Sequence, residues 1–343
     1  MTDEAGNAPS DRMRGRIGGS RLKVWLLLAA SRRLVVAGLL AALFLAFVAL
    51  GTLDPVGLRT AMARGDPIET LFQALLTAII TGVTLVVTIN QLVLSQELGA
   101  VGDQRERMEG AMAFRRAVED VIDEPVAPAE PAAFLGALVE ATGERAGTLT
   151  DAAEAGLDPE HRDRVQSYAE SLTEHAATVA DRLEGARFGR FEVVFAALDY
   201  NYSWKIYEAR RLREAVDDSG VVEAFEDVIE ALQLFGPARE HVKTLYFQWE
   251  LIDLSRAVIY AAAPALVVAT GMVLYVDAGA VPGATLGVDN LVWLSSAAAT
   301  VALAPFAVLV AYILRIATVT KRTLAIGPFV LRETDRSPDV DLD

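Results

Sequence analysis

The sequence contains no cysteine and only three histidines, at positions 161, 175 and 241. Disulfides, thiolate metal sites and cysteine nucleophiles are therefore excluded, and the histidines lack the spacing of a metal site. No glycine-rich phosphate loop follows a strand, and neither HExxH nor GxSxG occurs. We therefore expect no enzyme activity, no catalytic residue, no cofactor and no bound metal.

Lysine is also scarce, since only four of the 31 basic residues are Lys and the rest are Arg. The net charge is −15, yet 53% of the residues are hydrophobic and the mean hydropathy is +0.33. Residues 97–256 hold 33 acidic and 17 basic residues, a net charge of −16, whereas the remainder holds 13 and 14, a net charge of +1. This acidity argues against nucleic acid as a partner. Together with the lack of Lys it is typical of a salty cytoplasm, although a GC-rich genome also explains the excess of Arg.

Four segments are apolar and long enough to cross a bilayer, and none contains a charge: 34–53, 70–96, 257–276 and 291–314. Pro264 and Pro305 are expected to kink the last two. The absence of charge from all four segments disfavours a proton pump or an ion-coupled transporter. The sequence thus predicts an integral membrane protein with the lipid bilayer as its first partner.

Flanking charges predict the orientation of the four segments. Basic residues cluster before the first, after the second, before the third and after the fourth, whereas the loops 54–69 and 277–290 hold two Arg against five acids. Cytoplasmic loops are rich in Lys and Arg, so both termini are expected in the cytoplasm of a protein in the cell membrane. Ser31-Arg32-Arg33 also resembles a twin-arginine export signal, but the apolar run that follows is long for one.

The predicted fold class is all-α, with two spans on each side of a helical cytoplasmic domain. The predicted parts are a basic cytoplasmic segment, spans one and two, the acidic helical domain, spans three and four, and a cytoplasmic tail: 1–33, 34–96, 97–256, 257–314 and 315–343.

Apolar residues at helical spacing predict three helices in the acidic domain, with no strand. The first has its apolar face at Val165, Tyr168, Leu172, Val179 and Leu183. The second has it at Phe188, Phe191, Phe195, Leu198, Tyr202, Ile206, Ala209 and Leu212. The third has it at Phe225, Val228, Ile229, Leu232 and Phe235, and Gly236-Pro237 is expected to end it. Residues 123–132 are a Pro/Ala-rich linker, and helical periodicity continues from 96–122 and 238–256 into the neighbouring spans.

The second apolar segment carries a row of polar residues at intervals of three and four, which we call the polar stripe: Gln73, Thr77, Thr81, Thr84, Thr88, Gln91 and Ser95. This spacing places them on one helical face, over a length of roughly 33 Å. One interpretation is helix packing in a homo-oligomer, since Thr can bond the carbonyl four residues earlier and Ala74, Ala78 and Gly82 permit close approach. The other is a pore lining that includes Asn90 and selects little by charge.

The run Tyr200-Asn201-Tyr202-Ser203-Trp204-Lys205 is the most unusual motif of the acidic domain. Core packing with a wet rim is one interpretation. A surface for a cytoplasmic protein partner or a ligand, formed by Tyr200, Tyr202 and Trp204, is the other.

The order of spans and domain resembles that of bestrophin-type channels. Each chain of that family has two spans, a helical cytoplasmic region and two more spans. Five chains form the channel, and the second span of each lines the pore. The sequence departs from that family in two features. The aromatic neck of the pore is missing, since residues 73–96 contain no aromatic residue, and no acidic calcium clasp is recognisable. The stretches Thr88-Ile89-Asn90-Gln91-Leu92 and Thr244-Leu245-Tyr246-Phe247-Gln248-Trp249-Glu250 also resemble haloarchaeal multi-pass membrane proteins of unknown role. The resemblance to bestrophins implies a homo-oligomeric passive ion channel. The alternative is a non-conducting scaffold or sensor that uses the stripe for packing and the acidic domain for binding a partner.

Overall fold

The computed structural model describes residues 31–186 and 191–322. These residues form helices in the order α1 (Arg32–Leu53), α2 (Leu58–Gly65), α3 (Pro67–Glu97), α4 (Val101–Ile122), α5 (Pro131–Gly156), α6 (Pro159–Leu183), α7 (Phe191–Asp199), α8 (Tyr202–Arg213), α9 (Ser219–Tyr275), α10 (Asn290–Ala302) and α11 (Ala304–Arg322). An antiparallel hairpin of two-residue strands, β1 (Ala284–Thr285) and β2 (Val288–Asp289), precedes α10. The predicted all-α class is confirmed.

Helix starts follow the expected capping chemistry. The carboxylate of Asp66 accepts a hydrogen bond from the backbone N–H of Glu69 at 3.0 Å, with Pro67 in the first turn of α3. Asp158 caps α6 in the same way and also contacts His161. Hydrogen bonds from the backbone and the side chain of His161 lower the pKa of the Asp158 carboxyl. Local sequence therefore determines where these helices begin.

The described chain divides into two compact units. The first contains Gly99–Phe247, and the second contains the described part of Arg21–Leu98 together with Gln248–Val319. Residues 248–256, which the sequence analysis placed in the acidic domain, therefore group with the apolar helices.

The first unit is a helical bundle whose core uses the predicted faces of two helices. All five predicted apolar residues of α6 are buried, and so are Phe225, Val228, Ile229, Leu232 and Phe235 at the start of α9. The loop 123–130 joins α4 to α5, and Arg115 Nη2 donates to the carbonyl oxygen of Pro128 at 3.0 Å across it. Residues 123–130 of the predicted linker thus connect two helices of the same unit, whereas Pro131 and Ala132 already belong to α5.

Two predictions for this unit are wrong. The second predicted helix is interrupted at Tyr200 and Asn201, so α7 and α8 are separate helices, and Phe188 lies outside the described residues. Gly236-Pro237 does not end a helix, because α9 runs through it to Tyr275. Proline removes one backbone hydrogen bond, but residues on both sides of it, Phe235 and Ala238, are buried. We infer that tertiary packing holds the helix together across that gap.

The second unit contains the apolar helices. Among the described residues, α1, the Pro67–Leu92 part of α3 and α9 are each long and apolar enough to cross a membrane. Helices α10 and α11 meet at a 45° bend and would add a fourth span if they cross together. The break falls at Leu303, two residues before Pro305, which lies in the first turn of α11, so the fourth segment is bent near that proline as expected. Pro264, in contrast, lies within the continuous helix α9.

The helices of this unit leave many large apolar side chains exposed. No residue of α1 is buried, and exposed Leu, Ile, Val and Tyr side chains also occur on α3, α9 and α11. Soluble monomers rarely expose apolar surface on this scale. The surface is therefore suited to an apolar solvent or to partner helices.

The connections of the second unit contain structure that the sequence pattern did not predict. A short helix, α2, occupies part of the loop 54–69. The hairpin turn consists of Leu286 and Gly287, with φ values of 55° and 78°, which matches the left-handed conformation that two-residue hairpin turns require. The expected continuation of the second apolar segment into 96–122 is also wrong, because α3 ends at Glu97 and α4 begins at Val101.

Candidate functional site

The polar stripe lies on the side of α3 that faces away from the core of its own unit. Phe72, Ile79 and Val86 form the buried row of the helix and pack in the hydrophobic clusters of the unit. All seven stripe residues are exposed. At about 100° per residue, the stripe lies roughly 100–180° around the helix axis from Phe72. The predicted common face is therefore present, and no described residue of the second unit covers it.

A second exposed row on α3 is apolar. Leu71, Ala78, Leu85 and Leu92 follow one another at intervals of seven residues, and Leu85 is 60% exposed. At about 100° per residue this row lies beside the polar stripe on the outer surface of the helix. The exposed surface of α3 thus has one half suited to lipid and one half that is polar.

The threonine hydroxyls of the stripe donate to the helix backbone. Thr77 and Thr81 bond the carbonyl oxygens of Gln73 and Thr77 at 3.1 and 2.9 Å. Thr84 and Thr88 bond those of Ile80 and Thr84, both at 2.9 Å. A carbonyl has no proton to give, so each hydroxyl is the donor and turns only its oxygen lone pairs outward.

The amides on and near the stripe differ from one another. Gln73 Nε2 donates to Glu69 Oε1 at 2.9 Å, and Glu69 is exposed at the beginning of the stripe. Within the described residues the side chain of Gln91 makes no hydrogen bond. Asn90 is half-buried and lies on the Phe72 side of the helix at about 100° per residue. Asn90 is therefore not part of the polar stripe.

The predicted small residues have different surroundings. Ala74 and Ala78 are exposed, as a packing interface requires. Gly82 instead faces α11, where a Cβ would lie 3.2 Å from a ring carbon of Phe306. Gly82 is therefore used for packing inside the second unit.

Arg59 connects α2 to the hairpin region through five hydrogen bonds. Its Nε and Nη2 donate to the two carboxylate oxygens of Asp289 at 2.7 and 2.8 Å. Its Nη1 and Nη2 donate to the carbonyl oxygens of Ala278, Ala280 and Val281 at 2.7 to 3.0 Å. Asp289 also caps α10 by accepting from the N–H of Leu291 at 2.8 Å. Two loops that are distant in sequence are thereby fixed to each other.

This contact should make the loops acid-sensitive. The Arg59 guanidinium holds the pKa of the Asp289 carboxyl below its usual range. A carboxyl with a lowered pKa in the folded state stabilises the fold above its unfolded pKa, and that contribution is lost as the pH falls through the folded pKa. We expect the thermal midpoint to fall in acid more steeply for the wild type than for Asp289→Asn. Equal pH profiles would contradict this.

A mostly buried ion pair joins α1 to α9. Arg32 Nη2 donates to Glu250 Oε1, and the Arg32 guanidinium carbon lies 4.3 Å from the centre of the Tyr312 ring on α11. Glu250 is only 4% exposed. Ser31 caps α1 through a 3.4 Å contact from the N–H of Leu34. The Ser-Arg-Arg run therefore begins a helix, and its first arginine packs inside the unit rather than only flanking a span.

The sequence pattern predicted neither of these two arginine sites. Nothing near Arg59 or Arg32 in the sequence indicates a carboxylate more than 200 residues away. The available signal was the position of Arg59 in a loop otherwise poor in basic residues. The position of Glu250, a carboxylate within a stretch of aromatic and apolar residues, was a second signal.

The aromatic run of the bundle is a core feature. Tyr200 and Tyr202 are buried and pack edge-on against Phe235, with ring centres at 5.0 and 6.0 Å. Arg239 lies 4.6 Å above the Tyr202 ring. Trp204 is half-buried beside Tyr207, 5.4 Å away. Burial therefore removes the two tyrosines from the predicted partner surface, and of its three aromatic residues Trp204 alone is partly exposed.

Close packing between α1 and α10 yields a test of the fold in the second unit. A Cβ on Gly51 would lie 2.6 Å from Val292 Cγ1, whereas one on Gly38 of the same helix meets nothing within 4 Å. We expect Gly51→Ala to lower the free energy of unfolding by about 1–3 kcal/mol through overpacking. Gly38→Ala is the matched control and should have no such cost. Equal unfolding curves in mixed micelles would show that α1 and α10 do not pack in this way.

No group of three or more His, Cys, Asp or Glu in the described residues is arranged to hold a metal ion. Comparison with curated proteins and with solved structures found no significant match. The family match, in contrast, extends over residues 1–343. The chain belongs to DUF7972, a family of unknown function.

Proposed function

We propose that this chain is a homo-oligomeric protein of the cell membrane in which α3 of several copies lines a passive ion pore. It crosses the bilayer four times, with α10 and α11 as one bent span, and both termini and the acidic bundle are cytoplasmic. Three to four apolar helices and the exposed apolar surface support the membrane location. The distribution of Arg supports the orientation.

The proposal of a pore is supported by one observation. The polar stripe is exposed and faces away from its own unit, beside an apolar row suited to lipid. An amide such as that of Gln91 is costly to place in hydrocarbon without a hydrogen-bond partner. A neighbouring copy or water would provide one. In an oligomer whose α3 helices turn the Leu85 row towards lipid and the polar stripe towards the central axis, each row faces surroundings of matching polarity.

A non-conducting scaffold is the second candidate, and the threonine hydrogen bonds favour it. Since each hydroxyl already donates to its own helix, the stripe does not require water at those positions. In that case the stripe packs against a second copy, and the bundle binds a cytoplasmic protein.

A cysteine-labelling series distinguishes the two candidates, because the natural chain has no cysteine. Single cysteines from Gln73 to Ser95 are treated with a membrane-impermeant thiol reagent in intact vesicles, and the conductance of the reconstituted wild-type chain is recorded. We expect labelling at 77, 81, 84, 88 and 91 only, together with measurable current. Protection of these positions with no current would eliminate the pore and leave the scaffold.

A further inference from the structure

We propose that the pore conducts cations in preference to anions, because the four threonines of the polar stripe turn hydrogen-bond acceptors outward and have no free donor. This inference rests on the proposed pore. It also differs from the sequence analysis, in which uncharged Thr and Gln were expected to select little by charge.

The hydroxyls of the four stripe threonines all donate in the same direction, towards the helix backbone. The four threonine protons point at backbone carbonyl oxygens, so the lone pairs of Oγ1 are the groups that face outward. Gln73 gives one of its two amide protons to Glu69, so its carbonyl oxygen and its second N–H both remain in the same row. In a symmetric oligomer these oxygens form successive rings.

Rings of outward-facing acceptor oxygens favour cations over anions. Oxygen lone pairs replace the hydration shell of a cation. An anion needs N–H or O–H donors, and a stripe threonine provides one only after it gives up its bond to the helix. Binding an anion therefore costs a hydrogen bond to the helix, whereas binding a cation does not. This difference applies at each of the four threonines.

The stripe begins beside a negatively charged side chain. Glu69 is an exposed carboxylate there, and the loops 54–69 and 277–290 hold five acids and two Arg. One of those arginines, Arg59, is engaged with Asp289. At molar salt the Debye length is only about 3 Å, so the carboxylate acts by contact with an entering ion and not by attraction over a distance.

The reversal potential of the reconstituted full-length chain in a KCl gradient tests the inference. We expect it near the Nernst potential of K⁺. A reversal potential near that of Cl⁻, or at zero, overturns cation preference and leaves the pore intact. An absence of current at any voltage overturns the pore and this inference together.

Matched variants identify the groups responsible. Thr84→Val keeps the shape of the side chain and removes the oxygen, and Glu69→Gln removes the charge, so each should move the reversal potential towards zero. Thr84→Ser keeps the acceptor and should not. Thr318→Val removes a similarly bonded threonine from α11 and controls for the loss of a hydroxyl elsewhere. If Thr84→Val behaves as Thr84→Ser does, the threonine oxygens do not select the ion.

Discussion

Glu250→Leu is expected to lower the free energy of unfolding by about 3–5 kcal/mol, because it leaves the mostly buried Arg32 guanidinium without its carboxylate. Removing one partner of a buried ion pair costs more than losing a surface ion pair. Denaturation of the purified chain by SDS in mixed micelles measures it. A change below about 1 kcal/mol, the range of surface pairs, would contradict the buried pair.

The double variant Arg32→Met/Glu250→Leu is the control for this prediction. Replacing both partners of a buried pair by apolar residues is often neutral or stabilising. We therefore expect the double variant to be more stable than Glu250→Leu alone. If the two substitutions merely add their costs, the residues do not interact.

Arg59→Ala should have the second largest effect, about 2–4 kcal/mol, since it removes five charge-assisted hydrogen bonds and leaves Asp289 and three carbonyls without this donor. Arg59→Lys should recover little of the loss, because an ammonium cannot reproduce the planar fork that holds both carboxylate oxygens. The unfolding free energy in mixed micelles is again the measurement.

Arg64 provides the matched control for Arg59. It is the other arginine of the loop 54–69, and it is exposed. Arg64→Ala should change stability by less than about 0.5 kcal/mol. Similar effects of the two substitutions would show that net charge in this loop matters, not the specific contacts of Arg59.

Periodicity predicted the helices and their faces, because burial of one side of a helix leaves a local mark every three or four residues. The faces of α6 and of the start of α9 are examples. The polar stripe is another, and its exposure follows from Phe72, Ile79 and Val86 occupying the opposite side. Even the bonds from threonine to the carbonyl four residues earlier depend only on local geometry.

Features that depend on distant contacts could not be predicted in this way. The partners of Arg32 and Arg59 come from the other end of the chain. Gly236-Pro237 is a strong helix stop by local rules, yet packing around Phe235 and Tyr202 maintains α9 through it. Asn90 is adjacent to the stripe in sequence but turned away from it, since one residue rotates the side chain by about 100°.

The difference between the two rows on α3 allows the most direct test of the pore. Thr84→Cys lies on the polar stripe and Leu85→Cys on the neighbouring apolar row, and both positions are exposed in the single chain. Current through the reconstituted oligomer is recorded while a charged, membrane-impermeant thiol reagent is added to each variant. We predict that the reagent reduces the current of Thr84→Cys and leaves that of Leu85→Cys unchanged. Block of Leu85→Cys alone, or a current unaffected in both, would contradict a pore lined by the polar stripe of α3.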